Sequence, residues 1–253
     1  MGMTHKQYRF YRYHHQAKKG WVVFQVRHRE TDLWIRARYH LEEEALAAVL
    51  NCRHQLERYI ERFPAFLKSL QPLPDDPFAP NMIREMLHAA RAAGVGPMAG
   101  VAGAIAETAA RALKSFSNSV IIENGGDCYL DLDEDINVGV HAGPRSPFKD
   151  RIALHFPAAR LPLSVCTSSG TIGHSLSFGK ADAVTVVSKN AALADAAATA
   201  LGNLVKGPSD IGRALERASL IPGVDGALVL VKDKMGAWGK IELVGPNTPR
   251  PSA

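Results

Sequence analysis

Between Lys189 and Lys206 the chain carries a single charge, Asp195, on a run built almost wholly of alanine and leucine: Asn190-Ala-Ala-Leu-Ala-Asp195-Ala-Ala-Ala-Thr199-Ala-Leu201-Gly-Asn-Leu-Val205. A helix that is apolar all round has no solvent face, so the rest of the chain has to be built around it. A carboxylate in such surroundings is costly unless it is paired, hydrogen-bonded or bound to a metal. Thr199 stands one turn further on the same face, with Cβ atoms roughly 5–6 Å apart. Two oxygens so placed suit one small cation. The competing reading makes Asp195 a latch that accepts main-chain amides from a neighbouring loop.

At 253 residues the chain is long enough to bury a sizeable core without a disulfide or a structural metal. Cys52, Cys128 and Cys166 show no Cys-x-x-Cys spacing, which argues against both a disulfide framework and a zinc site. No run of eighteen apolar residues occurs, so no membrane-spanning helix is expected. The start, Met1-Gly-Met-Thr-His-Lys, lacks the apolar stretch of a secretory signal, and a cytoplasmic protein is expected.

The net charge of +5 is concentrated at one end. Lys6, Arg9, Arg12, Lys18, Lys19, Arg27, Arg29, Arg36 and Arg38 are interleaved with Tyr8, Phe10, Tyr11, Tyr13, Trp21, Phe24 and Trp34. Cations among stacking rings suit single-stranded nucleic acid or another polyanion. The plainer reading is a half-buried strand pair with one aromatic and one cationic face.

Tyr8–Tyr13 and Trp21–Arg38 read as strands, with Ala17–Gly20 as the turn. Leu41 to about Leu70 has helical periodicity, with Pro64 as a kink or break. Residues 71–80 are proline-rich and cannot be helical, which offers a subdomain boundary. Helices are expected over Asn81–Ala93 and from the glycine-rich Gly94–Ala104 stretch to about Lys114. Strands follow at Ser119–Glu123, Cys128–Leu132, Ile136–His141, Arg151–Phe156, Leu163–Thr167 and Ala183–Ser188. After the alanine helix come a helix over Ser209–Ala218 and a closing hairpin, Gly226–Val231 with Gly239–Val244, turning through Lys234–Trp238. Strands in runs, apart from clustered helices, predict an α+β fold with mixed or antiparallel sheets. One domain over residues 1–245 is expected, with a disordered tail at 246–253.

Three further segments could converge with Asp195 on one ligand. In Asn124-Gly125-Gly126-Asp127 the glycines allow close backbone approach and expose amides to an anion, although Asn-Gly is also the strongest short hairpin signal. Thr167-Ser168-Ser169-Gly170 ends a strand with hydroxyls and a glycine amide able to hold a phosphate. Gly94–Gly103 opens a helix whose N-terminus attracts anions, and close helix packing explains its small residues equally well. Cys166 has no charged neighbour in sequence to lower its thiol pKa, which argues against a nucleophile.

Taken in order, these segments resemble the ApbE superfamily of Mg²⁺-dependent FAD:protein FMN transferases. The resemblance runs from about Gly96 to Asn203. It rests on Gly100-Val-Ala-Gly-Ala-Ile-Ala-Glu107, Val120-Ile-Ile-Glu-Asn-Gly-Gly-Asp127, Thr167-Ser-Ser-Gly170, and Ala183–Ser188 followed by Leu193-Ala-Asp-Ala-Ala-Ala-Thr-Ala-Leu201. It implies a flavin site at Asn124, Gly125, Gly126, Asp127, Thr167, Ser168, Ser169 and Gly170. It implies Mg²⁺ ligands at Asp195, Thr199 and a backbone carbonyl near Ala102. Thr171 stands where the family carries an acidic residue. The thirteen residues from Thr171 to Ala183 replace the family's His-rich and Asp-Pro-x-Thr-Gly region, and the family's lysine in the first glycine segment is absent. The chain thus resembles the short, soluble, functionally uncharacterised branch of the superfamily.

The expectation is an ApbE-like flavin- or nucleotide-binding protein using FAD or FMN and Mg²⁺, with Asp195 on the cation and His174 as candidate general base. Its partners would be a flavin or another phosphate-containing small molecule and a protein acceptor; a homo-oligomer is compatible with the chain, and nucleic acid is the disfavoured partner. The alternative is a non-catalytic binding module that uses the basic aromatic N-terminal sheet.

Overall fold

The computed structural model describes residues 20–170 and 179–245. A hairpin of β1 (Val22–His28) and β2 (Thr31–Ala37) leads to α1 (Glu42–Arg62), the one-turn α2 (Ala65–Lys68) and α3 (Asn81–Ala93). A 3-10 turn at Pro97–Gly100 feeds α4 (Val101–Leu113). Then come β3 (Val120–Asn124), β4 (Asp127–Asp131), β5 (Ile136–Gly139), β6 (Ala153–Phe156), β7 (Leu163–Ser168) and β8 (Ala183–Ser188). The chain continues through α5 (Ala191–Leu204), α6 (Ile211–Ser219), β9 (Val224–Val231), β10 (Lys234–Gly239) and β11 (Leu243–Val244).

Several strands are apolar at successive positions, and such strands need cover on both faces. They receive it. An eight-stranded sheet runs β1-β2-β3-β4-β7-β8-β9-β10, with every neighbouring pair antiparallel. Val120, Ile122, Val184, Val186, Ala227 and Val229 face the helices. Ile121, Leu163, Val165, Ala183, Val187, Leu228 and Leu230 face a second sheet, β11-β6-β5, which contributes Leu154 and Phe156. The result is three layers, with helices on one side of the large sheet and the small sheet on the other. This is the α+β arrangement that runs of strands and clustered helices imply.

The alanine helix α5 lies where its composition requires, against α3, α4 and α6 and against β7 and β8. Asn190 caps it, its Oδ1 accepting from Leu193 N at 2.8 Å. Burial is not complete all round. Asp195, Thr199, Ala200 and Asn203 form a line that keeps partial access to solvent.

Some boundaries differ from the sequence reading. The stretch Trp21–Arg38 is itself a hairpin, turning at Arg29 with φ 53°. The predicted helix from Leu41 to Leu70 ends at Arg62, because Pro64 has no N–H to continue the ladder and Phe63 N closes onto Tyr59 O at 2.8 Å. Lys234–Trp238 is strand rather than turn. The chain reverses one step earlier, at Lys232 with φ 55°, and Leu243–Val244 leaves the large sheet to pair with β6. Gly236 fits that strand because an added Cβ would meet Ile211 Cγ2 at 2.4 Å. Tyr8–Tyr13, most of the Ala17–Gly20 turn and the tail at 246–253 lie outside the described residues. Among the described residues no helix is long and apolar enough to cross a membrane.

Candidate functional site

Four elements meet at one end of the large sheet: the β3–β4 turn, the end of β7, the start of α4 and the middle of α5. The turn is set by its glycines. Gly125 and Gly126 have φ of 72° and 109° between the paired residues Asn124 and Asp127, a two-residue hairpin that strongly favours glycine. Gly126 N donates to Glu123 Oε1 at 2.8 Å, so one of the two glycine amides is already committed within the hairpin.

Asn124, buried, reaches across to α4, its Nδ2 donating to Ala102 O at 3.0 Å. One residue on, Gly103 N donates to Asp195 Oδ2 at 3.0 Å. The glycines of this segment let α4 and α5 approach closely: a Cβ on Gly103 would lie 2.2 Å from Ala191 O, and one on Gly100 would lie 2.6 Å from Ala192 O. Small residues here serve helix packing, one of the two readings the sequence left open.

The electrostatics of this end are acidic. Burial pushes the Asp127 carboxyl well above the ordinary carboxylate range, and the negative charges of Asp195 and Glu123 raise it further. Hydrogen bonds from the Cys166 thiol and the Thr167 amide offset part of that rise. Asp195 is pushed up to about 7, first by desolvation and against the pull of the Gly103 and Ala102 amides. Asp195 keeps some surface in solvent, but enough protein surrounds its carboxylate for desolvation to dominate. Two neighbouring carboxylates raised in this way, with no basic side chain among the groups acting most strongly on either, are the arrangement that a cation relieves.

The donor set fits a hard divalent ion. Asp195 takes the Gly103 amide on one of its two oxygens, the Ala102 carbonyl, which accepts from Asn124, belongs to the residue before that amide, and Thr199 lies one turn along α5. Among the described residues no group of three or more His, Cys, Asp or Glu side chains forms a ligand cluster. An ion here would therefore rely on one or two carboxylates with hydroxyl, carbonyl, water and phosphate oxygens, the habit of Mg²⁺. The Gly103 and Ala102 amides on Asp195 equally satisfy the latch reading, and the two roles are compatible in one carboxylate.

The remaining expected residues are placed as follows. Asp127 pairs with Cys166 across β4 and β7. Thr167 Oγ1 bonds to Thr185 Oγ1 at 2.9 Å. A Cβ on Gly202 of α5 would lie 3.4 Å from Ser168 Oγ, so the β7 end abuts the helix that carries Asp195. Ser169 is half-buried, and Gly170, exposed, donates its N–H to Ala181 O at 3.0 Å. His174 and Thr171 lie outside the described residues. Cys166 is fully buried, and its thiol is driven well above the usual range by burial and by the charges of Asp127 and Asp195. It is held protonated rather than activated.

One neighbour of the candidate site escapes the sequence reading as an individual residue. Glu107, 1% exposed, accepts from Ala191 N at 2.7 Å through Oε2 and from Arg111 Nη2 at 2.5 Å through Oε1. Burial raises its pKa. Its signal matches that of Asp195, a lone acid on the apolar stretch Val101–Ala110.

The basic aromatic hairpin is largely self-satisfied where it is described. Arg38 lies over the Trp21 ring at 4.2 Å and pairs with Asp133 at 3.2 Å. Arg36 stands 5.2 Å from the Trp21 ring and 5.9 Å from that of Trp34, and Trp21 Nε1 donates to Glu134 at 2.7 Å.

The layers define an α+β protein with an ApbE-like fold. The fold matches the crystal structure of the Pseudomonas stutzeri flavinyl transferase ApbE in its apo form, with a TM-score of 0.52 over 89% of this chain and 94% of that one, at 15% identity. The family model described as AbpE bacteria matches residues 12–232. The chain is 45% identical over 208 residues to the UPF0280 protein MJ1526 of Methanocaldococcus jannaschii, covering 80% of this chain and 84% of that protein. It is 42% identical over 218 residues to the UPF0280 protein MK0206 of Methanopyrus kandleri, covering 83% and 88%. The chain therefore belongs to the ApbE-like family described as AbpE bacteria, on the branch its UPF0280 relatives occupy.

Proposed function

We propose that this end of the sheet binds the diphosphate of FAD, or a related phosphate-linked nucleotide, together with Mg²⁺, and that the protein acts as an ApbE-like flavin transferase or moves a related phosphate-linked group to a protein acceptor. The observation that carries the reading is the meeting of the Asn124–Asp127 turn, the Ala102 carbonyl and the Asp195 carboxylate, with two acids raised beside each other and no basic side chain dominating either.

Asp195, Thr199 and the Ala102 carbonyl would hold the ion. When bound, it supplies Lewis-acid neutralisation of charge on a diphosphate. The protein's own groups do the rest. Asn124 orients the Ala102 carbonyl. Gly125 and Gly126 leave the backbone bare enough for a ligand to approach, and Asp127 adds an acceptor beside them. The Thr167–Gly170 stretch supplies hydroxyls at the β7 end, its Gly170 amide being engaged by Ala181 O. His174 is the candidate general base for an acceptor hydroxyl.

The test is titration of FAD by its fluorescence with Mg²⁺ and with a chelator, followed by mass analysis for flavin covalently attached to protein. Mg²⁺-dependent FAD binding supports the reading. Binding indifferent to Mg²⁺, or none at all, contradicts it.

A further inference from the structure

α4 and α5 hold each other by two reciprocal bonds. Gly103 N on α4 donates to Asp195 on α5 at 3.0 Å, and Ala191 N on α5 donates to Glu107 on α4 at 2.7 Å. Within each helix, donor and carboxylate are four residues apart, so they lie one turn from each other on a single face. The helices run in opposite senses across the contact, and each carboxylate receives an amide from the other helix's first turn. Those amides have no partner within their own helix, and a negative charge beside them is favoured by the helix dipole. Between the two bonds the backbones nearly touch at Gly103 and Ala191.

Glu107 is itself fixed. It is buried, and Arg111 holds its second oxygen while also pairing with Glu85 at 3.2 Å. The clasp therefore has one anchored jaw, Glu107, and one jaw at the candidate site, Asp195. Ala102, whose carbonyl bonds to Asn124 at 3.0 Å, is the residue immediately before the Gly103 donor.

We propose that Glu107 is a positioning residue for the cation site: by holding the Ala191 amide it sets the register of α5 on α4, and through it the placing of the Asp195 carboxylate relative to the Ala102 carbonyl. The proposal rests on the cation reading given above. Mg²⁺ demands near-ideal octahedral placing of its ligands, so a small slip of one helix along the other costs affinity without touching a ligand.

Mn²⁺ serves as the probe, titrated calorimetrically into the wild-type protein and into Glu107→Ala, Glu107→Gln and Glu107→Asp, with amide exchange at Gly103 followed by NMR. Removing groups that orient metal ligands costs about 10–100-fold in affinity, and Glu107→Ala is expected in that range with faster exchange at Gly103. Glu107→Gln keeps an oxygen for the Ala191 amide and is expected to stay within about threefold of wild type. Glu107→Met, which fills the same space with no acceptor for that amide, is expected to weaken Mn²⁺ binding as Glu107→Ala does. A Glu107→Met protein that binds like wild type would reduce Glu107 to packing and overturn the proposal. Glu107→Asp, one methylene short, is expected to weaken Mn²⁺ binding and covers the case in which the alanine variant does not fold. A folded Glu107→Ala or Glu107→Asp variant with wild-type Mn²⁺ affinity overturns the proposal. If the wild-type protein takes up no Mn²⁺, the cation reading falls and the positioning role with it; if it binds Mn²⁺ and the Glu107 variants match it, only the positioning role falls.

Discussion

Replacing Gly103 by alanine would place a methyl group inside the α4–α5 contact, and its cost can be worked from the geometry. The new Cβ would stand 2.2 Å from Ala191 O, 2.7 Å from Ala191 C and 3.1 Å from Asp195 Cβ. Two of those atoms are backbone, so no rotamer change relieves the overlap and the helices must separate by about 1 Å. The Gly103 N–Asp195 bond of 3.0 Å would then stretch beyond hydrogen-bonding range. Overpacking costs roughly 1–3 kcal/mol, and a lost bond to a charged group roughly 1.5–3 kcal/mol. The gain in helix propensity from glycine to alanine returns roughly 1 kcal/mol. The net destabilisation is roughly 3 kcal/mol, a fall in Tm of about 6–12 °C for a chain of this size. Gly212→Ala is the matched control. Gly212 is exposed in α6 with nothing within 4 Å of an added Cβ, and it is expected to leave Tm unchanged or raise it slightly. Thermal unfolding of the two variants side by side makes the comparison. A Gly103→Ala protein as stable as wild type would refute the close contact and, with it, the clasp.

Further outcomes follow from the same site. Because the folded pKa of Asp195 is raised to about 7 from an ordinary 3.8, the native state binds more protons than the unfolded one between those values. Stability of the metal-free protein therefore falls as pH rises from about 4 to 7; Asp195→Asn should flatten that slope in thermal melts across this range, and an unchanged slope would count against the shift. Cation and proton compete for the same oxygens, so Mn²⁺ affinity should drop as pH falls below about 7, and pH-independent affinity would place the ion elsewhere. Asn124→Ala removes the partner of the Ala102 carbonyl and should cost roughly 1–3 kcal/mol in denaturant unfolding; a neutral result would show that water replaces the amide. Iodoacetamide at pH 8 should modify Cys128, which is half-buried, well before Cys166, as peptide mass mapping reads; early modification of Cys166 would contradict its raised pKa. The alternative role for the basic aromatic hairpin predicts nucleic-acid binding that collapses with added salt, whereas the site described here should respond to chelation. Filter binding over a salt series distinguishes the two.

Much of this site was readable because its signals are local. A lone acid among alanines, a two-glycine turn and a serine-rich strand end each depend on a few neighbouring residues, and the structure brings all three to one end of the sheet. The α+β class followed from runs of strands set apart from clustered helices. What sequence hid was tertiary. β5 and β6 leave the large sheet between β4 and β7, which makes β4 and β7 neighbours, and no local pattern reports that pairing. The predicted turn at Lys234–Trp238 is a strand in which Gly236 makes room for α6, and Gly239, predicted to open the next strand, ends this one with a positive φ of 83°. Glu107 carries the same warning as Asp195, but its meaning, an amide on another helix, needs the helices packed.

The site itself is tested most directly by anomalous diffraction from crystals grown with Mn²⁺ and FAD. The expected map has an anomalous peak within coordinating distance of the Asp195 carboxylate, the Thr199 hydroxyl and the Ala102 carbonyl, and touching a phosphate oxygen of the nucleotide. A map with FAD or Mn²⁺ bound elsewhere, and with the Asp195 oxygens held solely by the Ala102 and Gly103 amides, would leave that residue a structural latch and contradict the function proposed here.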